Sequence, residues 1–245
     1  MNQDSQSRIY NTSFYKERHS ATSTSLSIIT EAFLQLLPKP PSSIIDIGCG
    51  TGTLLSILGE KCETSSIIGI EGPWLKQTQF QSKGALISLD LNQLRSKDHL
   101  GLKGFDLACC LEVVEHLNSE SSVAIVDFLC SLSPCILFSA APPGQGGKGH
   151  INEKPLSYWV SLFRSNGFIY SDCIRPLIWD NPNVLPWYKQ NIVVFCKNGL
   201  AVKSPTCCPP IDIIHPDILN IHTSPSFSAG VHRSVQAVLK MLELK

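Results

Sequence analysis

Apolar positions in this chain gather into short, nearly continuous runs separated by segments of helical spacing. Ser43-Ile44-Ile45-Asp46-Ile47, Ile67-Ile68-Gly69-Ile70-Glu71, Ala85 to Leu91, Phe105 to Leu111 and Cys135-Ile136-Leu137-Phe138-Ser139 are the runs of strand length. Runs without polar alternation suit strands buried on both faces, as in a parallel sheet. Helical spacing falls between them. Ser23 to Leu37 is apolar at Leu26, Ile29, Phe33 and Leu36 or Leu37 and ends at Pro38; Thr53 to Glu60 follows the first strand; Ser119 to Ser131 is apolar at Val123, Val126 and Leu129; Pro155 to Asn166 is stopped by Gly167. Asn191 to Phe195 adds a late strand. Strands alternating with helices predict an α/β fold built on one main sheet.

The outer segments differ in composition. Residues 1–22 are polar and are expected to be a flexible N-terminal segment, residues 23–198 form the domain, and residues 199–245 are a proline-rich tail carrying a short amphipathic helix from Ser234 to Leu244. At 245 residues, 43% hydrophobic and 16% charged, the chain can bury one substantial core, and no internal repeat divides it. Lys plus Arg and Asp plus Glu both total 20, so no global field draws in polyanions, which disfavours long nucleic acids. No apolar run approaches the roughly 20 residues of a membrane span, and the polar N-terminus lacks a signal-peptide core. A cytoplasmic protein is expected. None of the ten cysteines stands in Cys-x-x-Cys, and Cys109-Cys110 and Cys207-Cys208 are vicinal pairs. In a reducing compartment such thiols pack as small apolar residues, with Cys207-Cys208 the pair expected to be exposed and oxidisable.

The turn after the first strand carries the chemistry. Asp46-Ile47-Gly48-Cys49-Gly50-Thr51-Gly52 places an acid at a strand end and three alternate glycines ahead of a helix. A dinucleotide fingerprint would need glycine at Thr53, and a phosphate loop would need a Gly-Lys-Ser/Thr step, whereas no basic residue stands between Asp46 and Lys61. An acid here suits a cationic ligand, such as the ammonium of a methionyl group, and points to S-adenosylmethionine. Glu71 ends the second strand 25 residues after Asp46, where a carboxylate can accept hydrogen bonds from both ribose hydroxyls. Asp90 ends the third run. Any one of these acids alone reads equally well as a helix cap or turn residue.

The succession of Asp46-x-Gly48-x-Gly50-x-Gly52, Glu71, Asp90 and Glu112-Val113-Val114-Glu115-His116-Leu117 resembles the class I S-adenosylmethionine-dependent methyltransferases. The resemblance covers about residues 13 to 196. It implies a Rossmann-like sheet, mostly parallel with an antiparallel late strand and helices on both faces. It also implies a cofactor site of Asp46, Gly48, Cys49, Gly50, Gly52, Glu71, Gly72, Asp90, Leu91 and Glu112, with Asp90 facing the adenine. Tyr15 and His19 are placed over the cofactor mouth.

After the fifth strand, Ala140-Ala141-Pro142-Pro143-Gly144-Gln145-Gly146-Gly147-Lys148-Gly149-His150-Ile151-Asn152-Glu153-Lys154 is richer in glycine and functional groups than a connecting loop requires. Ligands of open α/β sheets sit beyond the carboxyl ends of the strands, so this loop is expected near the reacting methyl group, with its glycines permitting closure. His150 is the candidate general base. Asn152 and Glu153 are expected to orient substrate or base, and Trp159, Trp187, Tyr188 and Gln190 to line an acceptor pocket; each has an ordinary alternative, Asn152 as a helix cap and the aromatics as core. This loop together with Trp187 to Asn191 resembles a bacterial methyltransferase branch associated with glycan or secondary-metabolite assembly, which implies O-methylation of a sugar or small metabolite.

Two further readings stay open. Glu112, Glu115 and His116 at i, i+3 and i+4 would share one helical face, and with His150 could ligate a divalent ion, similar to the site of small-RNA 2′-O-methyltransferases; the expected assignment is nonetheless no metal. A non-catalytic scaffold with a partner-binding tail is the other class, and a nicotinamide oxidoreductase a weaker one.

Overall fold

The computed structural model describes residues 12–95, 101–197 and 212–223. Seven strands, β1 (Ser43–Ile47), β2 (Ser66–Glu71), β3 (Ala85–Ser88), β4 (Leu107–Leu111), β5 (Cys135–Ser139), β6 (Phe168–Ser171) and β7 (Val193–Lys197), form one sheet in the order β3-β2-β1-β4-β5-β7-β6. β1 pairs in parallel with β2 and β4, β2 with β3 and β4 with β5, while β7 runs antiparallel to both β5 and β6. The strand order reverses between β1 and β4, which opens a crevice beyond their carboxyl ends, the usual ligand position in such sheets.

Alternation along the strands sorts side chains onto two cores. Leu107 and Cys109 join Ile44 beneath α1 (Thr12–Leu36) and α2 (Thr53–Lys61), in a cluster with Leu26, Ile29, Phe33, Leu55 and Leu58. Ala108 and Cys110 join Ile45 and Ile47 on the other face, under α3 (Ser122–Leu132) and α4 (Leu156–Ser165), with Phe128, Phe138, Trp159, Phe163 and Phe195. The vicinal thiols Cys109 and Cys110 therefore point to opposite faces of the sheet. The described cysteines are all free. Burial pushes the Cys109 and Cys110 thiols well up, and the Cys130 thiol up to about 12, so these groups act as packing.

The opposite rim of the sheet is tied by Asp106, whose Oδ2 accepts hydrogen bonds from Ser42 N (2.8 Å), Ser42 Oγ (2.6 Å) and Ser43 N (3.1 Å). These bonds, led by the Ser42 hydroxyl, hold its carboxyl below the ordinary range and pin the starts of β1 and β4 together.

Several elements differ from their sequence outlines. The first helix begins at Thr12, within the segment expected to be flexible, because its first turns lack the apolar period on which the outline rested. β6 and the short helices α5 (Arg175–Ile178) and α6 (Pro186–Asn191) were not read at all. β3 stops at Ser88, and Asp90 caps a single 3-10 turn, Leu91–Gln93. Residues from Ile213 belong to a second unit. Its described part is α7 (Pro216–Thr223), started by Pro216 and by the Asp217 N–H bond to His215 Nδ1 (3.1 Å). Cys207-Cys208, the helix from Ser234 to Leu244, and the side chains of Tyr15 and His19 lie outside what the structure describes.

Phe163 is fully buried, stacked on Phe195 at 3.8 Å between ring centroids and edge-on to Phe138 at 5.2 Å. Phe163→Ala should cost about 3–5 kcal/mol. Urea unfolding should show a lower midpoint at unchanged m, and an unchanged midpoint would contradict this packing.

Candidate active site

The crevice is built from the turn leaving β1. Gly48 N and Cys49 N both donate to Ile70 O at the end of β2, at 2.8 and 3.1 Å, so the loop folds over the neighbouring strand. Gly48 has φ +71°, and a Cβ there would collide with Val113. Gly52 has φ +81°, and a Cβ would fall 2.6 Å from the Phe80 ring. Both positions thus require glycine for conformation and for space. Glu71 completes the loop: its Oε2 accepts from Gly50 N at 2.7 Å and its Oε1 from Gly72 N at 2.8 Å.

At the end of β4 the backbone is strained. Glu112 has φ +54°, the left-handed region, and is the one non-glycine residue with positive φ among those described. Such strain is held by surrounding contacts and concentrates at functional sites. Its N–H meets Ser139 Oγ at 3.0 Å, its Oε1 accepts from Asn191 Nδ2 at 3.0 Å, and its Oε2 from Gln145 Nε2 at 3.2 Å. Gln145 Oε1 in turn accepts from Asn191 Nδ2 (2.8 Å) and Gln190 Nε2 (3.1 Å). This amide network joins β4, the glycine-rich loop and α6. Buried Arg175 fixes α6 beneath it, donating to the Gln190 carbonyl at 3.1 Å, to Tyr170 Oη at 2.8 Å and in bidentate fashion to Asp172 at 2.7 and 2.6 Å.

The glycine-rich loop is stapled to the turn Val114–His116. Ile151 N and Asn152 N donate to Glu115 O at 2.9 and 3.0 Å, and Asn152 Nδ2 donates to Val114 O (3.2 Å) and Ser122 Oγ (3.1 Å). His116 Nδ1 lies 3.3 Å from Gly149 O, and His150 Nδ1 lies 2.8 Å from Glu153 Oε1. The same Glu153 carboxylate accepts from Gly144 N and Gly146 N, both at 2.8 Å. The two imidazoles meet edge to face, with centroids 4.8 Å apart.

These elements enclose a cavity of about 320 Å³. Asp46, Gly48, Cys49, Gly50, Glu71, Gly72, Leu91, Glu112, His150 and Tyr188 stand on its wall as the sequence led us to expect. Other expectations need correction. Asp90 does not reach the wall, because its Oδ1 accepts from Asn92 N at 3.0 Å and its Oδ2 from the Gln93 side chain at 3.3 Å. Trp159 is fully buried among the aromatic rings under β5, and Asn152 is a buried backbone tie. Glu153 is not on the wall: it faces His150 and the loop amides, and so orients the His150 ring. Glu112 does not share a helical face with Glu115 and His116, because its left-handed backbone precedes that turn. Thr22, Leu26, Trp74 and Gln145 line the cavity without having been singled out as site residues. Only Gln145 carried a signal, its place within the glycine-rich loop.

Residues 19–134 match the family model described as a methyltransferase domain. Those residues carry a methyltransferase domain. No curated protein matches the sequence. Among solved structures, the chain is similar to magnesium protoporphyrin IX methyltransferase from Synechocystis PCC 6803 with bound SAH, at 20% identity over 80% of this chain and 93% of that one, with TM-score 0.54. It is also similar to the plantazolicin methyltransferase BpumL in complex with a pentazolic analogue and SAH, at 16% identity over 78% of this chain and 90% of that one, with TM-score 0.52. These likenesses bear on the fold.

The cavity is acidic. Asp46, Glu71, Glu112 and Glu115 stand on its wall with no Lys or Arg among the lining residues. Burial, then the charge of Glu71, pushes the Asp46 carboxyl well above its ordinary value. Burial raises Glu71 as well, against the Gly72 and Gly50 amides and Trp74, which lower it. Glu112 is raised by burial and partly restored by Asn191, Ser139 and Gln145. Glu115 is raised well above its usual range by burial and next by Glu112. Glu153 is also partly buried, but His150 and the Gly144 and Gly146 amides outweigh that and leave it below the ordinary range.

An acid with a raised folded-state pKa is protonated in the native protein when its unfolded counterpart has already ionised. It therefore loses stability for the fold as pH rises from about 3.9 through its raised value. Asp46→Asn removes that loss. At pH 7 and without ligand the variant should melt about 2–4 °C higher or more, the shift expected for 1 kcal/mol in a domain of this size. Calorimetry at pH 4 and pH 7 checks this, with the gain confined to the higher pH.

Proposed function

We propose that this methyltransferase moves the methyl group of S-adenosylmethionine to an oxygen of a sugar or other small hydroxylated metabolite. The observation that carries the reading is the joint placement of Asp46, Glu71 and His150 on one cavity. The residues fit the cofactor. Asp46 is buried, with no side-chain hydrogen bond among the described residues, and offers its carboxylate to a cation; Glu71, held by two amides, keeps lone pairs for ribose hydroxyls. Trp74 packs over Gly72 beside them and offers an aromatic face. When bound, the cofactor supplies an electrophilic methyl on a positively charged sulfur.

The acceptor side is formed by His150, His116, Gln145, Trp187 and Tyr188. His150 Nδ1–H donates to Glu153, which directs the other ring nitrogen away from that carboxylate and stabilises an imidazolium. Nε2 can then take the acceptor's hydroxyl proton as the O–CH₃ bond forms and the sulfur–methyl electron pair returns to sulfur, leaving a neutral thioether. Zero net charge favours a small acceptor over a long polyanion.

Titration calorimetry with S-adenosylhomocysteine tests the cofactor half. Saturable binding is expected, weakened about tenfold or more by Glu71→Ala, which removes charge-assisted hydrogen bonds, and lost in Gly50→Val. Absence of binding would overturn the proposal. His150→Ala should keep S-adenosylhomocysteine affinity nearly unchanged while lowering methyl transfer to the responding sugar or metabolite by about 100-fold or more. Undiminished transfer would remove His150 from the mechanism.

A further inference from the structure

One side chain of the glycine-rich loop runs against the direction of its neighbours. Gly144, Gly146, Gly147 and Lys148 are exposed, whereas Gln145 between them is half-buried and turns onto the cavity wall. Gly146, Gly147 and His150 stand on the same wall, so the stretch from Gly144 to His150 closes one side of the cavity as a flap. Glu153 makes the flap a single piece, because its one carboxylate gathers Gly144 N, Gly146 N and the His150 ring. At the far end, Ile151 N and Asn152 N are anchored to Glu115 O. Gly144 at φ +88° and Gly149 at φ +83° bound the piece in a conformation that glycine adopts at little cost.

Gln145 joins this piece to the cavity floor through bonds whose directions are fixed. A carboxylate only accepts, so Glu112 requires the side-chain nitrogens of Asn191 and Gln145 both to face it. Gln145 Oε1 is thereby turned toward α6, where it accepts from Asn191 Nδ2 and Gln190 Nε2. Gln190 Nε2 donates in addition to Asn191 Oδ1 at 3.1 Å. Both amide hydrogens of Asn191 and both of Gln190 are thus committed to one ring of bonds, and Gln145 is the flap's place in it. Bonds in such a ring polarise and strengthen one another.

We propose that Gln145 is a positioning residue: it is the clasp that holds the Gly144–His150 flap shut and sets His150 over the site of methyl transfer, and its release lets cofactor and acceptor exchange. The inference rests on the methyl-transfer reading for what the flap encloses. Removing the clasp frees the flap as a unit, since the Glu153 bonds lie within it and survive. Gln145→Glu goes further, because it replaces the donor to Glu112 with a second carboxylate. Exchanging the two residues restores the match. In Glu112→Gln combined with Gln145→Glu, the new amide donates to the new carboxylate and still accepts from Asn191, and the new carboxylate still accepts from Asn191 and Gln190.

Limited trypsin digestion of the full chain reads the flap directly, because Lys148 is exposed on it and cleavage there requires the flap to be released. Fragment masses should show cutting after Lys148 about 10-fold or more faster in Gln145→Ala and in Gln145→Glu, the change expected when a hydrogen bond to a charged group is lost. The double exchange should return to near the native rate, which loss of side-chain bulk alone would not allow. Stopped-flow tryptophan fluorescence, to which Trp74 and Trp187 on the cavity wall contribute, should show S-adenosylhomocysteine leaving Gln145→Ala about 10-fold faster. Melting curves verify that each variant is folded, and Gln145→Ala carries the test if the double exchange is not. Cleavage at Lys148 indifferent to Gln145, or unrescued in a folded double exchange, overturns the clasp, and an unchanged departure rate overturns its part in exchange. S-adenosylhomocysteine bound by samples whose cleavage is indifferent leaves the methyl-transfer reading standing without the clasp. Cleavage that responds as expected in a chain that binds no S-adenosylhomocysteine leaves the clasp and sinks that reading.

Discussion

The Gly50 N–H to Glu71 hydrogen bond, at 2.7 Å, ties the turn after β1 to the end of its parallel neighbour β2. Its geometry depends on β1 and β2 lying in register from Ser43 beside Ser66 to Ile47 beside Ile70, which brings the glycine turn level with the carboxylate. Gly72 N closes the second oxygen, so Glu71 is held from both sides. A charged acceptor bonded to two amides is among the stronger hydrogen-bonded arrangements in a protein, and it fixes the loop before any ligand arrives. A pre-formed site saves the ordering cost that binding would otherwise incur.

Around that clasp the protein concentrates negative charge where it cannot be solvated. Four carboxylates share one cavity wall, and burial raises the pKa of each. Their energies differ by what meets them. Glu71 and Glu112 are satisfied by amides of the loop and of α6, whereas Asp46 and Glu115 have no such partners among the described residues. The two satisfied acids organise the scaffold.

The loop from Ala140 to Lys154 links the cavity to the rest of the chain. Its glycines permit close approach, yet it is not loosely held: Gln145 bonds to Glu112, Glu153 gathers Gly144, Gly146 and His150, and Asn152 is anchored to Val114 and Ser122. Arg175 extends the control to α6 by gripping the Gln190 carbonyl, although it touches no cavity surface itself. Asn152 and Glu153, expected to orient substrate or base, shape the loop that presents His150.

Sequence alone settled the elements whose signal is local. Apolar runs gave six of the seven strands, the alternate glycines gave the turn, and strand-end acids gave Asp46 and Glu71, because a backbone period and a missing Cβ act on neighbouring residues. Asp90 and Trp159 were misplaced for the complementary reason: a turn residue can cap its own backbone, and an aromatic ring can face the core as readily as a ligand. β6, α5 and the pairing of Gln145, Gln190 and Asn191 with Glu112 left no local mark. They exist because β7 enters the sheet antiparallel and carries α6 to the end of β4, a pairing of residues 79 positions apart that only the packed chain decides.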